Sequence, residues 1–218
     1  YEARAAEYDE WHRREGRFYR GEEHRIAWMT ELQTVREVII RAKPHGRVLE
    51  LACGTGLWTG LVAESAGSLV AVDSSLEALA INRARSRCRH VEFVQADLFT
   101  WRPNRKFDFV FFGFWISHVP EDQFDDFWSF GGYVLEPAGR VFLVDSLWAP
   151  DSSAVDHATP GRGGVVERKL NDGKTFKIVK VFHEPAALER RLSEGGFTGR
   201  IHTTSRFFYY GCLRNGRQ

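Results

Sequence analysis

Short apolar runs of strand length alternate with helix-like stretches along most of this chain. The runs fall at 47–51 (RVLEL), 69–73 (LVAVD), 91–94 (VEFV), 107–112 (FDFVFF) and 140–145 (RVFLVD), with two more at 177–182 (KIVKVF) and 207–213 (FFYYGCL). Near-continuous apolar strands suit a sheet covered on both faces, and strands that alternate with helices read as parallel. Helices are expected from near Leu57, Ser75, Asp122 and Pro185. The last has its proline at the start and Gly195-Gly196 past its end, where each is favoured. Ahead of the first strand, residues 23–42 carry Ile26, Met29, Leu32, Val35, Val38 and Ile39 at helical spacing, a helix that covers one sheet face. The aromatic FFYY run predicts an antiparallel edge strand. The expected fold is α/β: a mostly parallel seven-stranded sheet with an antiparallel edge strand and helices on both faces.

Two segments break this alternation. The first twenty or so residues hold Tyr1, Tyr8, Trp11, Phe18 and Tyr19 among charges, too aromatic for a tail, and read as a lid. Residues 146–164, with Pro150 and Pro160, are irregular, and loops of that length in compact domains are usually functional or disordered. Residues 165–182 read as a hairpin about Asn171-Asp172-Gly173, with Arg168 about as far from the turn as residues 177–180. A chain of 218 residues is long enough for one such domain and short for two. The expected organisation is a single domain: an N-terminal helical lid (1–45), a cofactor-binding core (46–145), a substrate-covering loop and hairpin (146–182), and a C-terminal helix and strand (183–218).

Charge and cysteine content narrow the partners. Thirty basic and 29 acidic residues leave a net charge of +1, so no global field favours nucleic acid or an anionic membrane. Arg83, Arg85, Arg87 and Arg89 are spaced by two, which puts them on no single helical face, and read as a solvated helix end. Cys53, Cys88 and Cys212 are odd in number, far apart and without metal-ligand spacing, as free thiols in a reducing cytosol would be. No run approaches the roughly 20 apolar residues that cross a bilayer, and the first residues lack the apolar stretch of a signal peptide. The expectation is a cytoplasmic protein with a small-molecule substrate, without a metal and without a nucleic-acid or membrane partner; nothing in the sequence sets its oligomeric state.

The chemistry concentrates at residues 48–57 (VLELACGTGL), where a strand runs into a glycine turn and a helix follows. Gly54 and Gly56 let a ligand approach the backbone and permit a tight turn. A dinucleotide loop would carry a third small residue where Thr59 stands. Glu50 at the strand end would repel a diphosphate but attract a cation, and S-adenosylmethionine offers both an ammonium and a sulfonium. The next strand ends in Asp73, seventeen residues beyond Gly56, placed for ribose hydroxyls. The third is followed by Asp97 and Leu98, placed for an adenine amino group and ring. Three acids at successive strand ends line one crevice outside the sheet.

The pattern E-L-A-C-G-T-G, V-D-S-S, Q-A-D-L-F and F-D-F-V-F-F-G-F-W resembles the class I S-adenosylmethionine-dependent methyltransferases over residues 40–145. The resemblance implies a Rossmann-like methyltransferase fold. It also implies that Glu50 and the Gly54/Gly56 backbone meet the methionine end, Asp73 the ribose, and Asp97 with Leu98 the adenine, with Ala52, Trp58 and Ser74 also at the cofactor. Tyr8 and Phe114 complete that set, and S-adenosylhomocysteine is the product. Residues 113–120 (GFWISHVP) would face the transferable methyl. The D/N-P-P-Y/F/W motif of DNA amino-methylating enzymes is absent there, and the chain has no Pro-Cys pair of the kind cytosine-C5 enzymes use. His118 is the candidate acid–base group, with an orienting role as the alternative. An acceptor that is already anionic needs no base, since in-line displacement gains much from positioning alone.

Further resemblance extends beyond the core. The stretches F-F-x-F-W-x-S-H-V-P-E-D-x-F-D-D-F-W and E-R-K-L-N-D-G-K-T-F-K-I-V-K-V-F-H-E-P, with the N-terminal A-A-E-Y-D-E-W, are similar to phosphonate O-methyltransferases. That similarity implies an anionic acceptor gripped by Arg168 and Lys180, with Tyr8 over the active site and Trp11, Tyr19 and Trp115 around the acceptor. By its own pattern, Lys180 shares a strand face with apolar neighbours, so it either snorkels or meets an anion. A neutral hydroxyl or carboxylate acceptor, or a non-catalytic S-adenosylmethionine-binding module, are the alternatives.

Overall fold

The structure, a computed structural model, describes residues 5–157 and 164–216; Tyr1 and Pro160 lie outside them. Five strands, β1 (Arg47–Leu51), β2 (Ser68–Asp73), β3 (Val91–Gln95), β4 (Phe107–Gly113) and β5 (Leu135–Ser146), run parallel in the order β3-β2-β1-β4-β5. A separate two-stranded hairpin pairs β6 (Val165–Lys169) with β7 (Thr175–Val179). The main sheet continues from β5 through β9 (Phe208–Asn215) to β8 (Phe197–Thr203). The antiparallel strand expected at this edge is β9, which opposes both β5 and β8. The seventh strand is β8 rather than KIVKVF. Its sequence, FTGRIHT, is mostly exposed and interrupted by Gly199, so it carries little apolar signal, whereas KIVKVF belongs in part to the hairpin.

Alternation along the strands sorts the core onto two faces. Val48, Phe109, Phe111, Phe142 and Val144 pack with α2 (Glu22–Ala42) and α3 (Thr59–Ala63). Leu49, Val110, Phe112, Val141 and Leu143 pack with Phe127 and Trp128 of α5 (Phe124–Val134) and Leu188 and Leu192 of α6 (Pro185–Glu194). On α2 the buried stripe is Trp28, Leu32, Val35, Val38 and Ile39, while Ile26 and Met29, expected inside, are exposed. Trp28 takes the inward position one turn before Leu32, against Phe207 and Phe208. The helix starts near Ser75 and Pro185 have their caps. Ser75 Oγ accepts from Ala78 N at 3.1 Å ahead of α4 (Leu76–Arg85), and the Glu184 carboxylate accepts from the amides of Ala186 and Ala187.

The N-terminal segment forms α1 (Ala5–Arg13) and a 3-10 turn at Gly16–Phe18. Arg14 is fully buried between this segment and the loop after β5. It donates to Ser152 O at 2.7 Å and lies 3.2 Å from the Trp28 ring centroid. Burial, with Arg20 adding to it against Asp151, lowers its pKa to about 9. Trp11 Nε1 donates to the same Ser152 carbonyl and Arg20 to Ser153 O, so the lid and that loop clasp each other. Among the described residues no helix is long and apolar enough to cross a membrane.

Candidate active site

The order β3-β2-β1-β4 reverses direction at β1, and the crevice outside such a reversal is where open α/β sheets bind ligands. A cavity of about 350 Å³ opens there, lined from successive strand ends by Glu50, Asp73, Asp97 and Phe114. The backbone is held left-handed at Gly54 (φ 52°) and Gly56 (φ 83°), and also at Ala52 (φ 51°) and Phe114 (φ 58°), where a side chain makes that conformation costly. A Cβ on Gly56 would lie 2.2 Å from Asn82 Oδ1. Asn82, buried on α4, donates to Thr59 Oγ1 at 2.8 Å and Gly54 O at 3.3 Å, tying the loop to two helices.

Three buried polar atoms on the wall of this cavity have no hydrogen-bond partner among the described residues: Glu50 Oε2, Trp58 Nε1 and Trp115 Nε1. Buried polar groups are ordinarily satisfied. A carboxylate oxygen and two N–H donors left open beside a cavity fit a ligand that carries both cationic and acceptor atoms, as S-adenosylmethionine does. Burial, then the nearby Asp73, pushes Glu50 up to about 8, against a hydrogen bond from Thr59. Burial likewise raises Asp73, although its oxygens accept from Gly54 N and Ser75 N, each at 2.9 Å. Asp97 accepts from Phe99 N at 2.9 Å, and Leu98 and Phe99 form the wall beside it. Among the described residues no group of three or more His, Cys, Asp or Glu is placed to hold a metal ion.

A second, smaller cavity of about 50 Å³ adjoins the first; Tyr8, Phe114 and His118 line both. Its far walls come from the lid (Trp11, Phe18), the loop after β5 (Ser152, Ser153, His157) and the hairpin (Arg168, Lys180). Beneath it Asp145, at the end of β5, is fully buried. Its carboxylate accepts from Ser117 N (3.0 Å), Ser117 Oγ (2.9 Å) and Ser146 N (2.7 Å), and lies 3.4 Å from Lys180 Nζ. Burial alone would raise this carboxyl, but Lys180 foremost, then His118 and the amides of Ser117 and Ser146, hold it below its ordinary range. Lys180 also donates to Ser117 Oγ at 2.7 Å. His118 Nδ1 lies 2.7 Å from the Val179 carbonyl, an acceptor, so Nδ1 carries a proton.

Most expected site residues therefore meet here. Tyr8, Glu50, Ala52, Gly54, Trp58, Asp73, Ser74, Asp97, Leu98 and Phe114 line the larger cavity, and Trp11, Arg168 and Lys180 the smaller. Gly56 serves from behind, through its approach to Asn82. Two expectations for the acceptor side do not hold in this geometry. Tyr19 is 48% exposed and lines neither cavity, because adjacent residues at the end of the 3-10 turn face apart and Phe18 takes the inward place. Trp115 lines the larger cavity, 5.9 Å from the Phe99 ring. Arg168 pairs with Phe176 across the hairpin, nearer the turn than expected. Not foreseen were Ser117, Asp145, His157, Phe18 and the serines at 152 and 153.

The lid is latched to the glycine loop. Thr55 Oγ1 donates to Asp9 Oδ1 at 2.8 Å, and Arg13 and Arg85 both pair with that carboxylate. Arg85 is thus drawn from the basic run into the lid contact. Removing Asp9 costs about one net hydrogen bond's worth of closure. Asp9→Ala is expected to speed release of S-adenosylhomocysteine roughly three- to tenfold in stopped flow, leaving thermal stability near wild type.

Comparison with known proteins places this geometry. Residues 48–139 match the family described as a methyltransferase domain. The solved DhpI–SAH complex is 36% identical, with a TM-score of 0.78, over 100% of this chain and 94% of that one. A DhpI–SAM–HEP complex is 34% identical, with a TM-score of 0.77, over 98% and 93%. The glycopeptide N-methyltransferase MtfA with S-adenosyl-L-homocysteine shares the fold at 18% identity and a TM-score of 0.63, over 83% and 86%. No curated protein matches the sequence.

Proposed function

Because this chain belongs to the S-adenosylmethionine-dependent methyltransferases, we propose that it methylates an oxygen of a small anion, and that this anion is a phosphonate. The observation that carries the reading is the small cavity beside the cofactor crevice, with Arg168 and Lys180 in its wall and Tyr8, Phe114 and His118 shared between the two. A cavity of about 50 Å³ suits a compact headgroup, and two cationic side chains suit a charged one. The similarity to DhpI, solved with SAM and HEP together, supports the same class of acceptor.

Bound S-adenosylmethionine supplies a methyl group made electrophilic by its sulfonium. The chain's own residues hold and align the reactants. Glu50 receives the cationic end, Asp73 and Ser74 the ribose, and Asp97 with Leu98 the adenine. Arg168 and Lys180 grip the acceptor's charge, and Asp145 with Ser117 braces Lys180 from below. Nδ1–H on the Val179 carbonyl fixes the His118 ring at the wall the two cavities share, and an Nε2–H would donate to the acceptor's anionic oxygen. An anionic oxygen arrives deprotonated, so His118 orients it rather than removing a proton. Tyr8 and Phe114 line the junction of the two cavities, where they would shield the reacting atoms from water and leave alignment as the main source of acceleration. The three cysteines are unpaired, which suits the reducing cytoplasm where we place the protein, and the near-neutral charge suits a small molecule over nucleic acid.

The test is methyl transfer from labelled S-adenosylmethionine to a panel of small phosphonates, carboxylates and phenols. Label on the phosphonates is expected. Label confined to neutral phenols would overturn the anion reading and give His118 the work of a base, and cofactor binding with no acceptor labelled would favour a non-catalytic module.

A further inference from the structure

His157 stands on the wall of the smaller cavity, in the loop that clasps the lid. Its Nε2 lies 2.8 Å from Arg17 Nη2 and 3.2 Å from the Lys169 amide nitrogen. The Lys169 carbonyl is also 3.2 Å from Nε2, but it already accepts from Arg17 Nη2 at 2.6 Å, and a proton on Nε2 would point at the guanidinium, which has no lone pair to offer. Nε2 must therefore be the acceptor, and the ring is the neutral tautomer with its proton on Nδ1. Burial, with Arg168 and Arg17 adding to it, lowers this imidazole's pKa, in keeping with a neutral ring. Nδ1 is buried and has no hydrogen-bond partner among the described residues. A buried N–H without an acceptor is uncommon and calls for one.

The cavity that His157 lines contains Arg168 and Lys180, so whatever fills it is an acceptor of hydrogen bonds. We propose that His157 is a binding residue of the acceptor pocket: its Nδ1–H donates to an oxygen of the anionic headgroup, as an uncharged third contact beside Arg168 and Lys180. This rests on the anion reading of that pocket and adds a specificity element to it. The three donors come from three separate segments, the loop after β5, strand β6 and the chain just past β7. A headgroup with oxygens in three directions meets all of them, whereas a planar carboxylate leaves one unmet. The contact also joins ligand to lid, since the ring that would hold the headgroup is fixed by Arg17, from the lid's 3-10 turn, and by the backbone of Lys169.

The two amide substitutions separate this role from a structural one. Asn places its NH2 about where Nδ1 stands, and Gln reaches the place of Nε2. The probe is inorganic phosphate, titrated calorimetrically into the protein saturated with S-adenosylhomocysteine, for wild type, His157→Gln, His157→Asn and Arg168→Ala. His157→Gln is expected to weaken phosphate binding roughly tenfold, with affinity for S-adenosylhomocysteine unchanged. His157→Asn should stay within about threefold of wild type. Phosphate binding unaltered in His157→Gln, or hurt more by Asn than by Gln, would overturn the inference and leave the ring a brace for Arg17 and Lys169. If Arg168→Ala binds phosphate like wild type, or wild type binds none, the anion reading itself fails and this inference with it.

Discussion

Lys180→Met is expected to lower methyl transfer to a phosphonate by about a hundredfold and to destabilise the protein by about 3 kcal/mol. For a chain of this size that is roughly 6–12 °C in melting temperature. Both effects follow from Asp145. Lys180 is the foremost charge holding that fully buried carboxylate ionised, at 3.4 Å. Methionine keeps the apolar stem and removes the charge, which leaves Asp145 with the Ser117 and Ser146 donors alone. The sign with pH is specific. In wild type the carboxyl lies below its ordinary value, so its contribution to stability is present above the unfolded value near pH 4 and is lost as pH falls through the lower folded value. In the variant, burial is no longer opposed by that charge and the folded carboxyl rises, so the contribution becomes a cost that grows as pH climbs above about 4. The stability gap between the two proteins should be widest at neutral pH and narrow toward pH 4. Adding Asp145→Asn should recover most of the stability, because replacing both members of a buried pair costs far less than orphaning one. It should recover none of the activity. Recovery of activity in the double variant would reduce Lys180 to a brace and remove it from the anion grip; a gap independent of pH would remove Asp145 from the explanation.

The two cavities differ in how much of them the sequence made legible. Apart from Tyr8 of the lid, the larger is built from consecutive strand ends within one continuous stretch, and each end carries its functional residue at or just past the tip: Glu50, Asp73 and Asp97, with the glycine turn between. Parallel topology alone then brings the tips to one edge, so strand pattern and local motif together located it. The smaller is assembled from five separate places: the lid, the turn after β4, the end of β5, the loop beyond it, and the hairpin. Lys180 was visible because a cation among apolar neighbours on a strand is anomalous, and Arg168 through the stretch that resembles phosphonate O-methyltransferases. Asp145 was not, since an acid at the end of an apolar strand gives no sign that a serine 28 positions earlier and a lysine 35 positions later will enclose it. His157 lay in a segment with no periodicity, and its role depends on Arg17, 140 positions away. The strand missed, β8, and the exposed face of α2 have a shared cause. Apolar content was read as burial, but Phe197–Thr203 is half polar and yet paired, while Ile26 and Met29 are apolar and yet outside.

Glu50 carries the other large effect, on the cofactor side. Burial holds its carboxyl at about 8, so the free protein at neutral pH keeps it mostly protonated, and a cation bound beside it favours the ionised form. Binding S-adenosylmethionine is therefore expected to release a proton, and affinity to rise by up to about tenfold per pH unit between pH 6 and 8 before levelling. The free protein should show the opposite trend. A raised carboxyl makes the folded state bind the extra proton, so its stability falls as pH climbs from near the unfolded value of about 4.5 through 8. Glu50→Gln keeps the shape and the bond to Thr59 without the charge. It should bind S-adenosylmethionine on the order of a hundredfold more weakly at pH 8, lose that pH dependence, and be more stable than wild type without ligand at pH 8. The ligand's own α-amino group titrates near 8 in both proteins alike, so the difference between them isolates Glu50. Calorimetry in buffers of different ionisation enthalpy counts the protons directly. An equal pH slope in Glu50→Gln, or an equal proton count, would mean that the open Oε2 oxygen is not where the cofactor's charge is received.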